Sequence, residues 1–187
     1  HERANLSYRN IRPGDKIIVS NRIAAHGVAI MSVREGLTFE SDIISDTVNL
    51  NYIVKKMLDV FGAHIHLLKD PTRGGVATVL NEIARDAALG IELDEKNIPV
   101  DEQIYGACEL LGLDPLYVAN EGVFIAIVDA TVADEVLALL QADENCSFAS
   151  CMGTVTETHP KQVILTSRIG GKRVVNMLVG EQLPRIC

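Results

Sequence analysis

The sequence predicts an α/β (α+β layered) fold, a mixed β-sheet covered by helices on at least one face. Two observations predict it. Val123-Phe124-Ile125-Ala126-Ile127-Val128 is an unbroken apolar run of the length of a strand buried on both faces. Strand and helix patterns also follow one another both in alternation and as a hairpin, and only a mixed sheet accommodates both orders.

The elements follow in order. Pro13-Gly14-Asp15 is a turn into the buried strand Lys16-Ile17-Ile18-Val19-Ser20. Residues 23 to 35 form a helix ending at Gly36. Asn51 to Phe61 carries Ile53, Val54, Met57, Leu58 and Phe61 at spacings of three and four, an amphipathic helix. Ile65 to Leu68 is a short strand, and Asp70 to Gly75 a loop. The next helix places Val76, Val79, Leu80, Ile83, Ala84 and Ala87 on one face and is closed by Gly90. Ile91-Glu92-Leu93 alternates as a strand. Asp101 to Leu111 is helical with Gly112 as its stop, and Val132 to Gln141 is the last helix. Gln162 to Leu165 and Arg173 to Met177 pair as a hairpin turning at Gly170-Gly171.

At 187 residues the chain is long enough for one domain with a full core. Residues 1–14 read as the remnant of an interdomain linker, 15–178 as the α/β domain, and 179–187 as a flexible tail bearing a terminal cysteine. The chain does not open like a natural start, so an amino-terminal half is expected upstream. The net charge of −8, from 17 Lys+Arg against 25 Asp+Glu, excludes a basic nucleic-acid-binding face. No apolar run spans a membrane and no signal peptide opens the chain. The four cysteines, Cys108, Cys146, Cys151 and Cys187, include no CxxC pair, and reduced thiols in a cytoplasmic protein are the expectation. No metal site is expected, and His26, His64 and His66 read as structural residues.

Three segments can carry chemistry. Leu68 to Val76 runs strand, glycine-bearing turn, helix N-terminus, which aims free backbone N–H groups and the positive end of the helix dipole at one point. Within it Thr72 can cap or donate, and Arg73 can add a forked pair of donors to a phosphate. The same loop also reads as a tight turn whose glycines satisfy only sterics. Asn120-Glu121-Gly122 sets a carboxylate ahead of the strongest strand, a candidate general base or metal ligand, or else a turn-capping acid. Cys187 closes a polar tail. About seven residues from Gly180 span roughly 25 Å when extended, enough to carry a thiol between two sites.

Ser20 to Gly27, Arg34-Glu35-Gly36-Leu37, Ser45-Asp46, Lys69 to Gly75, Leu80-Asn81-Glu82-Ile83-Ala84, Leu111 to Gly122 and Leu183-Pro184-Arg185-Ile186-Cys187 occur in that order. Together they resemble the carboxy-terminal half of the HypE family of hydrogenase maturation proteins. The Asp-Pro-Thr-Arg-Gly-Gly loop is similar to that of the wider superfamily of aminoimidazole ribonucleotide and selenophosphate synthetases, and the expected fold is their carboxy-terminal domain. The resemblance implies an ATP-dependent carbamoyl dehydratase. Cys187 accepts a carbamoyl group from the carbamoyltransferase HypF, ATP phosphorylates the carboxamide oxygen, and loss of phosphate leaves a thiocyanate. The cyano group then passes to iron on a HypC–HypD complex, as a ligand for [NiFe] hydrogenase. It implies Glu121 at the family's catalytic carboxylate, and Asp70, Thr72, Arg73, Gly74 and Gly75 at the nucleotide. ATP and Mg²⁺ are expected mainly through the missing half, which is also the expected homodimer contact, and the fragment alone is expected to be inactive. Asn21 and Ala24 stand where the family usually has glycine, and Val123 where a lysine often follows Asn-Glu-Gly. The rival readings are a non-catalytic partner-binding domain and another ATP-dependent enzyme of the superfamily.

Overall fold

A computed structural model of the chain describes residues 1–36 and 43–178. Its seven strands form one sheet: β1 (Lys16–Val19), β2 (Ile65–Lys69), β3 (Gly90–Asp94), β4 (Ile125–Val128), β5 (Ser150–Thr156), β6 (Val163–Thr166) and β7 (Lys172–Val174), in the spatial order β2-β4-β1-β5-β3-β6-β7. Every pairing is antiparallel except β3 with β6, so the sheet is mixed as expected.

The period-2 alternation of the strands splits the core into two layers. Ile17, Val19, Ile125 and Ile127 point to the face covered by α1 (Ala25–Glu35), α3 (Gly75–Ala87) and α4 (Glu102–Leu111). Ile18, Phe124, Ala126 and Val128 point to the face covered by α2 (Asn51–Phe61) and α5 (Ala133–Gln141). Helices therefore cover both faces, which is why the apolar run in β4 has no polar side. All four of its residues are buried. Ile125, Ile127 and Val128 each contribute about 1.5–3 kcal/mol of burial.

Residues 51–61 form the predicted helix, its buried Ile53, Met57, Leu58 and Phe61 lying on one stripe. α4 has the Asp101 side chain as its N-cap and Gly112 as its left-handed stop. Two expectations are corrected. α3 ends at Ala88, which takes the left-handed conformation at φ 57° and donates to Ala84 and Arg85, rather than at Gly90. Gly90 instead opens β3, where a Cβ would stand 1.9 Å from the Thr158 carbonyl oxygen. The second concerns β5, a middle strand of the sheet with no counterpart in the pattern-based reading. It pairs β1 on one side and β3 on the other, and its register slips opposite Ile17 and Ile18.

His66 is buried on β2, with its Nδ1 2.7 Å from Asp15 Oδ2. No helix among the described residues is long and apolar enough to cross a membrane.

Candidate functional site

The loop between β2 and α3 is shaped by its two glycines. Gly74 and Gly75 both have positive φ, 72° and 60°. Gly75 is pressed against the short turn Pro115–Tyr117, where a Cβ would stand 2.6 Å from the carbonyl oxygens of both Leu116 and Val118. Gly74, the N-cap of α3, faces Thr78. The helix accordingly begins with no side-chain cap. The expected capping by Thr72 is replaced by its backbone, whose carbonyl accepts the Gly75 N–H at 3.0 Å. With the Gly75 N–H taken by Thr72 and the Thr78 N–H by the Gly74 carbonyl, the N–H groups of Val76 and Ala77 are left to face the loop, as the opening N–H groups of a helix have no intrahelical partner. Asp70 and Arg73 are exposed beside them. Lys69 is turned away to Glu82 at 2.5 Å and Tyr8 at 3.3 Å. Burial pulls its pKa down, but the hydrogen bonds to Glu82 and Tyr8 outweigh that and hold it above the usual lysine value.

Asn120 ties this loop to the segment that carries Glu121. Its side chain is fully buried. The side-chain oxygen accepts the Ala24 N–H at 2.7 Å, and its amide donates to the carbonyls of Pro71 at 2.9 Å and Val118 at 3.0 Å. Its backbone N–H also donates to Pro71 at 3.2 Å. One buried amide thus joins the loop, the Glu121 segment and the residue preceding α1. Ala24 holds the left-handed conformation there, φ 76°, the region that favours the glycine expected at this position.

Asp46 holds the other side. Its Oδ1 accepts the N–H groups of Glu121 at 3.0 Å and Gly122 at 3.1 Å. Its Oδ2 is buried with no hydrogen-bond partner among the described residues, as is Thr78 Oγ1 under Gly74. His26 Nδ1 lies 2.9 Å from Ser45 Oγ and links α1 to the same segment. The Glu121 side chain is exposed, while its backbone is fixed from both sides. Gly122 is required by its neighbour: a Cβ there would stand 1.7 Å from the Asp46 carbonyl oxygen.

Asp70, Thr72, Arg73, Gly74, Gly75 and Glu121 are thus gathered on two segments bonded to each other. Cys187, with the whole of 179–187, lies outside the described residues. The role of Asn120 was not legible, because Asn before Glu-Gly reads as a turn cap and its partners are far away in the chain. The only signal for Asp46 was its place in the Ser45-Asp46 motif. Among the described residues no group of three His, Cys, Asp or Glu side chains is placed to hold a metal ion.

The remaining thiols separate by burial. Burial first, and a nearby carboxylate second (Asp114 or Asp143), push Cys108 and Cys146 up to about 11. Cys151 is only half-buried. Alkylation of the folded chain at pH 8 is therefore expected to spare Cys108 and Cys146. Peptide mapping that finds either labelled as fast as Cys151 would contradict this.

Residues 12–166 match the family described as AIR synthase related protein, C-terminal domain. The carbamoyl dehydratase HypE of Rhizobium leguminosarum bv. viciae is 48% identical over 176 residues, covering 94% of this chain and 50% of that protein. Among solved structures, a hydrogenase maturation protein HypE in complex with ATP superposes with a TM-score of 0.90 at 41% identity, over 97% of this chain and 55% of that one. A HypE–HypF complex gives a TM-score of 0.88 at 38% identity, over 93% and 56%. The chain spans about half the length of the relatives it matches. With this sheet, this glycine loop and these similarities, the chain belongs to the HypE family of hydrogenase maturation proteins and forms its AIR synthase-related carboxy-terminal domain.

Proposed function

We propose that this chain is the carboxy-terminal part of an ATP-dependent carbamoyl dehydratase that converts an S-carboxamide on Cys187 into a thiocyanate, the source of cyanide ligands for [NiFe] hydrogenase iron. The Asn120 bridge supports the reading, because it joins the loop proposed to bind phosphate to the segment proposed to carry the base. In this reading residues 15–178 are the working domain, 1–14 the linker and 179–187 the carrier tail.

The chemistry needs both parts. The carbamoyl oxygen takes the γ-phosphoryl group as ADP leaves. The C–O bond then breaks, phosphate departs with that oxygen, and two N–H protons are lost to give S–C≡N. The glycine loop of Gly74 and Gly75 turns the free N–H groups of α3's first turn toward the phosphate charge, with Thr72 and Arg73 as further donors. Glu121 takes a proton from nitrogen. Mg²⁺, held mainly by the amino-terminal half, would neutralise charge on the nucleotide, and Asp70 stands with the nucleotide-binding residues of the loop. The carbamoyl donor is HypF, the partner of the relative solved in complex with it. The acceptor is a HypC–HypD complex, the homodimer contact lies in the amino-terminal half, and the setting is cytoplasmic.

The test is intact mass spectrometry after incubation with the carbamoyltransferase, carbamoyl phosphate and ATP. The chain joined to the amino-terminal half of its relatives should gain one carbamoyl group on Cys187 and then lose the mass of one water. The chain alone should stop before the loss. An unchanged mass favours the partner-binding reading, and ATP turnover with Cys187 untouched favours another enzyme of the superfamily.

A further inference from the structure

The backbone that leads into the tail is pinned to the two segments that build the site. β7 ends at Val174, and one further backbone bond continues its pairing with β6. Val175 is fully buried. Its N–H donates to the Val163 carbonyl at 2.8 Å, and its own carbonyl accepts the Asn81 side-chain amide at 2.9 Å. The carbonyl of Asn176 accepts the Tyr117 hydroxyl at 2.9 Å. Leu178 reaches the loop itself, for a Cβ on Gly74 would stand 3.6 Å from Leu178 Cδ2.

The two side chains that make this contact have revealing positions. Asn81 lies on α3, the helix whose first turn forms the phosphate loop. Its amide group uses both hydrogens, one on Ala77 of its own helix at 2.8 Å and one on Val175. Tyr117 ends the turn whose carbonyls press on Gly75, three residues before Asn120. Both donors thus stand on the framework that places the phosphate loop and Glu121, and both act on the exit of the last strand.

From these contacts we infer that Asn81 and Tyr117 are positioning residues that clamp the root of the tail at Leu178, beside Gly74. The inference rests on the proposed role of Cys187. Nine residues follow Leu178 up to and including Cys187, a reach of at most about 30 Å extended and roughly 15–18 Å for a random coil of that length. The local concentration of a tethered group depends on tether length and on where the tether starts. Releasing the clamp would move the root back toward Val174. The extra length alone lowers that concentration about twofold by the −3/2 power dependence, and the displaced origin lowers it further. The clamp acts on delivery to this site, so loading of Cys187 at the carbamoyltransferase is independent of it.

The experiment uses the chain joined to the amino-terminal half of its relatives, unmodified and as Tyr117→Phe, which removes one hydroxyl and leaves the ring. Asn81→Ala is the second variant. Backbone amide exchange of Val175, whose buried N–H is bonded to the Val163 carbonyl, should rise at least about tenfold in each, the signature of a released root. Single-turnover dehydration of carbamoylated Cys187 at saturating ATP should slow about three- to tenfold, with the KM for ATP and the rate of carbamoyl loading unchanged. Faster exchange with undiminished turnover would overturn the positioning role. So would slowed turnover accompanied by a raised KM for ATP, which would mean a disturbed loop. An unmodified chain that never dehydrates its carbamoyl group brings down the proposed function and the clamp's role with it. An unmodified chain that turns over no faster than Tyr117→Phe brings down the clamp alone.

Discussion

Glu121→Gln, made in the chain joined to its amino-terminal half, is expected to load Cys187 with a carbamoyl group normally and to fail at losing water. The substitution is nearly isosteric, and the backbone bonds from Glu121 and Gly122 to Asp46 do not involve the side chain it changes. The exposed carboxylate has no structural partner among the described residues to lose, so stability should change by less than about 0.5 kcal/mol. What disappears is the proton acceptor. Removing a positioned general base costs roughly 10²–10⁴ in rate. Intact mass over a time course reads both steps from one sample. Thiocyanate formation at the normal rate would remove Glu121 from the mechanism, and failure of loading would show that the change disturbs the tail.

The second large effect is on the loop. Gly75→Ala should destabilise the domain by roughly 3 kcal/mol or more, because a positive φ costs about 1–3 kcal/mol for a side-chain-bearing residue and the new Cβ meets two backbone carbonyls that cannot rotate away. Those are the carbonyls of Leu116 and Val118, each 2.6 Å from the Cβ position. Gly74→Ala has a similar φ but meets the Thr78 side chain, which can turn. It should cost only about 1–2 kcal/mol while weakening ATP binding, since the altered loop presents its amides differently. Urea denaturation of both variants checks the order. Equal losses would mean that the packing of Gly75 on the Pro115–Tyr117 turn is looser than its geometry implies.

What the sequence revealed depended on how local the controlling interactions are. The bounds of α2 were legible because the stripe of Ile53, Met57, Leu58 and Phe61 repeats within the element. β4 was legible because burial on both faces leaves an unbroken apolar run. β5 was not, since its residues answer to neighbours elsewhere in the chain. Gly153 is required by the Glu92 carbonyl oxygen, which a Cβ would approach to 2.3 Å, and the register slip against β1 breaks the alternation. The end of α3 was misjudged for a related reason, because Gly90 serves the Thr158 carbonyl and Ala88 bears the left-handed turn. At the site, the loop from Asp70 to Gly75 announced itself through local chemistry. Its attachment to Glu121 did not, because Asn120 works by reaching Ala24 and Pro71, and no spacing rule joins residues so far apart.

The strand order has a consequence for how the molecule comes into being. Lys16 pairs with Val128 on one side and with Thr154 on the other, so the middle of the sheet is assembled from opposite ends of the chain. The entropy of closing such long loops must be met before these pairings return anything, which makes folding slow and concentrates it in one late step. On the ribosome, β1 emerges well before β4 and β5 and waits with an open edge and an apolar face until both have followed, an interval in which it is exposed to wrong pairings.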